Sequence, residues 1–143
     1  MPDWDPAAFE QAIIDDMRSH GGLVTSGPLA GDPIMVVTST GAKSGQARRS
    51  LLTFSRDGEA YVVAGTAGGS PKTPGWVHNL QAHPIVTIEA EGRVFQARAN
   101  LADEGERQGL WDHHVATIPR FGEYPNKTTR AFPMFRLTEI VPH

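Results

Sequence analysis

Two short runs, Arg56-Asp57-Gly58-Glu59 and Glu91-Gly92-Arg93, each interrupt stretches rich in β-branched and aromatic residues. Asp-Gly and Glu-Gly-Arg breaks of this kind join two strands by a tight antiparallel turn. The paired runs are Arg49–Ser55 with Ala60–Gly65, and Ile85–Ala90 with Val94–Leu101. Ile34–Ser39 and Phe132–Ile140 add two more. Six strands in hairpins predict a small antiparallel barrel.

Helical signals surround that β pattern. Asp5 can cap a first helix with Pro6 in its opening turn, and Phe9, Ala12, Ile13 and Met17 recur at helical spacing until Gly21-Gly22. Its other face carries acids and Arg18, so the apolar stripe is expected to pack on the core rather than on a membrane. Thr73 can cap a short helix beginning at Pro74, and a further helix spans about Ala102–Thr117 with Asp103 and Glu104 in its first turn. The expected fold is therefore α+β and mainly β: a split antiparallel barrel of about six strands, an N-terminal helix and two further helices.

At 143 residues the chain suits one domain, residues 1–22 forming the N-terminal helix and 33–141 the barrel. A formal charge of −3 argues against a nucleic-acid-coating surface, and no run of eighteen apolar residues marks a membrane span. With no secretory leader pattern at the N-terminus, the expected location is the cytoplasm. Absence of cysteine removes disulfides, thiolate metal sites and cysteine nucleophiles. His78 and His83, and the adjacent His113 and His114, lack the spacing of a helical metal face, so no metal site is expected. His113 and His114 read as exposed helix residues.

Local basic charge is another matter. Thr40–Arg49, "TGAKSGQARR", holds three cations and two glycines. It is not a Walker loop, since Lys43-Ser44 precede the second glycine and a strand follows. Gly41 and Gly45 permit backbone conformations that turn N–H groups toward an anion, with Lys43 and one arginine adding charge. Strand alternation sends Arg48 and Arg49 to opposite faces, and Arg48, nearer the turn, is the better partner for Lys43. A solvated hairpin loop is the competing reading. A second glycine-rich stretch, Ala64–Asn79, places Lys72 before a helix start; hairpin pairing would bring both loops to one rim, as a groove for a phosphate-bearing cofactor. Trp76 and Asn79 fit either such a ligand or the core. Pro119–Pro133 reads as a long loop of the kind that covers sites, with Tyr124 able to pack over a planar ligand or supply a proton.

Three segments, "TSTGAKSGQARRSLLTF", "VVAGTAGGSPKTPGWVHNLQAHPIVTI" and "TTRAFPMFRLTEI", together resemble the deazaflavin-dependent nitroreductase family, which uses coenzyme F-420, an 8-hydroxy-5-deazaflavin, on a split β-barrel. The resemblance spans about Pro33 to Val141. It implies that Lys43, Ser44, Gly45, Gln46 and Arg48 hold the coenzyme phosphate, and that Arg49, Ser50, Gly65, Thr66, Ala67, Lys72, Trp76 and Asn79 complete the coenzyme site. Thr66 and Tyr124 are the implied catalytic residues. Relatives carry tyrosines where Ile118 and Phe121 stand here, a lysine at Ala67 and a basic residue at Ala42. The implied activity is hydride transfer from reduced coenzyme F-420 to a planar electron-poor acceptor: a quinone, a nitroaromatic or an unsaturated lactone. An FMN-dependent oxidoreductase of the pyridoxamine-phosphate-oxidase type and a non-catalytic coenzyme-binding protein are the alternatives. The partners implied are a small-molecule acceptor and no nucleic acid, on a monomer or homodimer.

Overall fold

In a computed structural model, which describes residues 6–27 and 29–141, seven antiparallel strands form one curled sheet. They are β1 (Ile34–Thr40), β2 (Ala47–Thr53), β3 (Ser55–Asp57), β4 (Ala60–Ala64), β5 (Ile85–Ala90), β6 (Arg93–Leu101) and β7 (Met134–Glu139), ordered β2-β1-β5-β6-β7-β4-β3. Both expected turns form. Asp57 faces Ala60 across a two-residue loop that Gly58 opens at φ 60°, and Ala90 faces Arg93 across Glu91-Gly92, both with positive φ.

The expected run Arg49–Ser55 is two strands, which raises the count from six to seven. Residues of β2 pair with β1, those of β3 pair with β4, and the switch occurs at Phe54. Phe54 is buried, its ring edge-on to Tyr61 at 5.2 Å, and its N–H donates to Pro33 O. Driving that ring into the core bends the chain from one sheet edge to the other. β2 and β4 are therefore not hairpin partners; the curl of the sheet brings their ends together instead.

Three helices pack on the sheet: α1 (Pro6–Ser19), α2 (Gly75–Ala82) and α3 (Glu104–Thr117). α1 buries Ile13, Ile14 and Met17 against Ile34 and Val36 of β1, while Phe9 and Ala12, expected in the stripe, are exposed. Arg18 on its outer face forks onto Glu89 of β5 at 2.9 Å. The proposed Asp5 cap lies outside the described residues. Pro74, not Thr73, stands at the N-cap of α2, whereas Asp103 caps α3 by accepting from Glu106 N–H at 2.9 Å. Pro119–Asn126, expected to be a loop, is a 3₁₀ turn that buries Phe121 with Ile118, Leu110 and Met134. The barrel interior is filled by Met35, Val37, Tyr61, Val63, Leu80, Ile88, Phe135 and Leu137.

Candidate functional site

A cleft of about 380 Å³ opens where β2 passes the end of β4. Arg49, Ser50, Leu51, Leu52 and Thr53 of β2 form one wall; Ala64, Thr66 and Ala67 form another; Trp76 of α2 and Phe121 and Tyr124 of the 3₁₀ turn add aromatic surface. Glu10 of α1 stands at the same cleft. Trp76 is half-buried, its ring 5.8 Å from Phe135, and Tyr124 lies 5.0 Å from Phe121. The walls combine the aromatic faces of Trp76, Phe121 and Tyr124 with the polar groups of Glu10, Arg49, Ser50, Thr53 and Thr66, so a ligand with both a flat ring and polar substituents fits them.

The basic loop closes the β1–β2 hairpin at the near end of β2. Gly41 N–H donates to Gln46 O at 2.7 Å, Gly45 N–H to Gly41 O at 2.9 Å, and Gln46 N–H to Ser44 Oγ at 3.2 Å. Gly45 holds φ at 70°, a conformation that favours glycine, and a Cβ on Gly41 would displace the Ser44 hydroxyl from its bond to Gln46 N–H. The N–H groups of Lys43 and Ser44 have no protein acceptor among the described residues. Lys43, Arg48 and Arg49 pair with no carboxylate among them either, whereas Arg18, Arg56, Arg93, Arg107 and Arg120 each grip one and Arg136 grips two. Arg48 turns back to Gln46 Oε1 and Arg49 reaches Gln11 Oε1 of α1, each at 3.4 Å, so the two arginines take opposite faces as strand alternation predicts. β2 is seven residues long, roughly 20 Å. A free cationic turn at one end and an aromatic cleft along the rest suit an elongated ligand with a phosphate and a ring.

The second glycine-rich loop is arranged differently. Arg130 gathers its carbonyls, donating from Nε to Ser70 O, from Nη1 to Gly65 O and from Nη2 to Thr66 O at 2.9 Å, with Lys72 O at 3.3 Å. Burial, with no acid opposite, lowers the Arg130 pKa. Thr66 is buried yet lines the cleft, and Ala67 beside it has φ 46°, a left-handed conformation that costs a non-glycine residue about 1 kcal/mol or more. Gly65 is buried, Lys72 is exposed, and neither lines the cleft. Asn79 also stays out of it: its Oδ1 accepts from Ala42 N–H at 2.9 Å, tying α2 to the basic loop.

His114 corrects the expectation of an exposed residue. It is fully buried, with Nδ1 2.7 Å from Ser55 Oγ, its ring edge-on to Phe121 and Nε2 without a partner among the described residues. Burial, aided by His113 and Arg120, pushes its pKa down to about 4, so the imidazole is neutral near pH 7. His113 remains exposed, contacting Arg56 O. Sequence reasoning also missed Glu10, Thr53 and Arg120. Glu10 reads as a solvated helix acid, and only tertiary packing places it at the cleft. A larger cavity, about 670 Å³, lies between Gly21–Leu23, Gly31–Ile34, Phe54–Arg56 and α3. It contains none of the free cations, and its Arg56 and Glu91 neutralise each other.

Comparison with known proteins identifies the family. A family described as F420H(2)-dependent quinone reductase matches residues 11–139. An F420H(2)-dependent quinone reductase of Mycobacterium tuberculosis is 35% identical over 109 residues, 74% of this chain and 73% of that protein. A solved F420-H2 dependent reductase is 34% identical with a TM-score of 0.67, covering 73% of this chain and 93% of its own. A second solved chain, described as a domain-swapped dimer, is 29% identical with a TM-score of 0.69 over 93% of this chain and 99% of its own. The chain thus belongs to the F420H(2)-dependent quinone reductase family of oxidoreductases, on a split-barrel fold.

Proposed function

We propose that the chain binds coenzyme F-420 along β2 and reduces a planar quinone-class acceptor in the cleft. One observation carries this reading: among the described residues Lys43, Arg48 and Arg49 have no carboxylate partner, and they stand at or beside the start of the strand whose remainder walls the cleft. Lys43, Ser44, Gly45, Gln46 and Arg48 would hold the coenzyme phosphate through charge and unpaired N–H groups. Ser50, Thr66, Ala67 and Trp76 would flank the ring, with Arg49 on the α1 side. Lys72, Gly65 and Asn79 act from outside the cleft: Lys72 as a solvent-side charge, the other two as supports of the loops.

When bound and reduced, the coenzyme supplies a hydride. The protein would position the acceptor among Trp76, Phe121 and Tyr124, which favours transfer over short distances. The Thr66 hydroxyl and the Tyr124 phenol, both lining the cleft, would orient the acceptor or deliver a proton to its reduced oxygen. Phe121 in place of a second phenol leaves an apolar wall, which suits quinones better than acceptors that need several hydrogen bonds. The 29% identical domain-swapped dimer supports testing for a homodimer beside a monomer.

Fluorescence titration with oxidised coenzyme F-420 beside FMN tests the assignment, followed by turnover of menadione with the reduced coenzyme. Saturable binding of the deazaflavin alone, weakened in Arg48→Ala, supports the reading. Preference for FMN would replace it with a flavin-dependent oxidoreductase, and binding without turnover of any acceptor would leave a coenzyme-binding protein.

A further inference from the structure

The wall formed by Phe121 and Tyr124 is tied down from behind by the residue between Pro119 and Phe121. Arg120 donates from Nη1 to Asp32 Oδ2 at 2.5 Å and from Nη2 to Thr53 Oγ1 at 3.2 Å, and its guanidinium lies 5.3 Å from the Phe121 ring centroid. Asp32 belongs to the segment before β1 and lines the larger cavity, whereas Thr53 ends β2 and lines the cleft. One side chain therefore spans from the 3₁₀ turn to both cavities. Burial works to lower the Arg120 pKa, but the ion pair with Asp32 and the nearby Tyr124 phenol leave it raised.

The turn is otherwise held by apolar packing, Phe121 against Trp111 and His114 and Tyr124 against Phe121, with Arg120 its one charged tie to the strand side of the cleft among the described residues. Its backbone bonds are of the i→i+3 kind, Phe121 N–H to Ile118 O at 3.1 Å and Lys127 N–H to Tyr124 O at 3.0 Å, and such turns hold their shape poorly alone. Phe121 packs inward on α3, but Tyr124 is only half-buried. Packing on Phe121 holds one side of the Tyr124 ring, and the anchoring of the turn by Arg120 sets how far the ring reaches into the cleft.

We propose that Arg120 is a positioning residue: by gripping Asp32 and Thr53 it fixes Phe121 and Tyr124 at the cleft and so sets acceptor affinity, without contributing to coenzyme binding. This rests on the quinone-reductase reading of the cleft. Full-length wild type, Arg120→Leu and Arg120→Lys are compared for menadione KM and kcat, for coenzyme F-420 Kd by fluorescence, and for hydrogen exchange at the Phe121 and Lys127 amides. Arg120→Leu should raise KM about tenfold, leave the coenzyme Kd within about twofold and speed exchange at both amides by about tenfold. Arg120→Lys, which keeps the Asp32 pair but loses the fork, should recover most of the KM and remain folded. Unchanged KM or exchange in Arg120→Leu overturns the proposal, as does a coenzyme Kd weakened by the same factor as KM. Should wild type neither bind the coenzyme nor reduce menadione, the cleft reading fails; exchange at the two amides then decides by itself whether Arg120 holds the turn.

Discussion

The two glycine-rich loops beside the cleft have similar composition and opposite wiring. Thr40–Arg49 points its cations outward, and the N–H groups of Lys43 and Ser44 meet no protein acceptor among the described residues. Ala64–Asn79 turns four carbonyls inward onto Arg130, a cation supplied from about sixty positions along the chain. Left bare, those carbonyls would repel an anionic ligand; gathered by a guanidinium, they become a rigid ledge beside the cleft. Glycine and basic charge thus leave open N–H groups and cations in one loop and build a closed framework in the other.

The strongest way to break this contrast is Arg130→Ala. It should cost on the order of 4 kcal/mol in urea unfolding, because several charge-assisted bonds vanish and partly buried carbonyls lose their donor. Arg130→Lys should recover little, lacking the fork. A loss below about 1 kcal/mol would remove the framework role.

His114 is the extreme of the inward class. Its folded pKa, about 4, lies below the ordinary 6.5, so the unfolded chain takes up a proton first as pH falls. Its contribution to stability is full above pH 6.5 and is lost as pH drops toward 4, by roughly 3 kcal/mol in all. Unfolding free energies of His114→Asn across that window should lack this component. Parallel curves for variant and wild type would refute it.

The outward loop should respond in the opposite currency, binding rather than stability. Lys43→Ala with Arg48→Ala should weaken coenzyme F-420 about a hundredfold, or about 2.7 kcal/mol, with the melting temperature nearly unchanged and much of the salt dependence removed. Gly65→Ala comes next, at about 2 kcal/mol of stability, because its Cβ would meet Val77 Cγ2 at 2.7 Å and Pro133 Cδ at 3.2 Å. Asn79→Ala should have the smallest effect, about 1 kcal/mol, yet it touches both loops by freeing Ala42 from α2. A calorimetric scan and a coenzyme titration on each variant separate the two classes.

What the sequence made legible follows the range of each interaction. The turns at Gly58 and Gly92 are encoded within four residues, and the opposed faces of Arg48 and Arg49 need only the period of a strand. The free cations of the first loop were visible for the same reason. The break at Phe54 was not, since it depends on which edge each neighbour joins after the sheet curls. Arg130 gave no signal because its carbonyl partners come from a distant stretch. His114 looked like any polar helix residue, and only the Ser55 hydroxyl, 59 positions away, makes its burial tolerable.

The cleft draws its walls from Glu10, from β2, from the end of β4, from α2 and from the turn holding Tyr124. No contiguous piece of the chain contains it. A molecule that binds there recognises only the completed structure, so its binding free energy adds directly to the free energy of unfolding, about 2.7 kcal/mol at a hundredfold excess over Kd. The abundance of the folded protein in a cell would then rise and fall with its coenzyme supply.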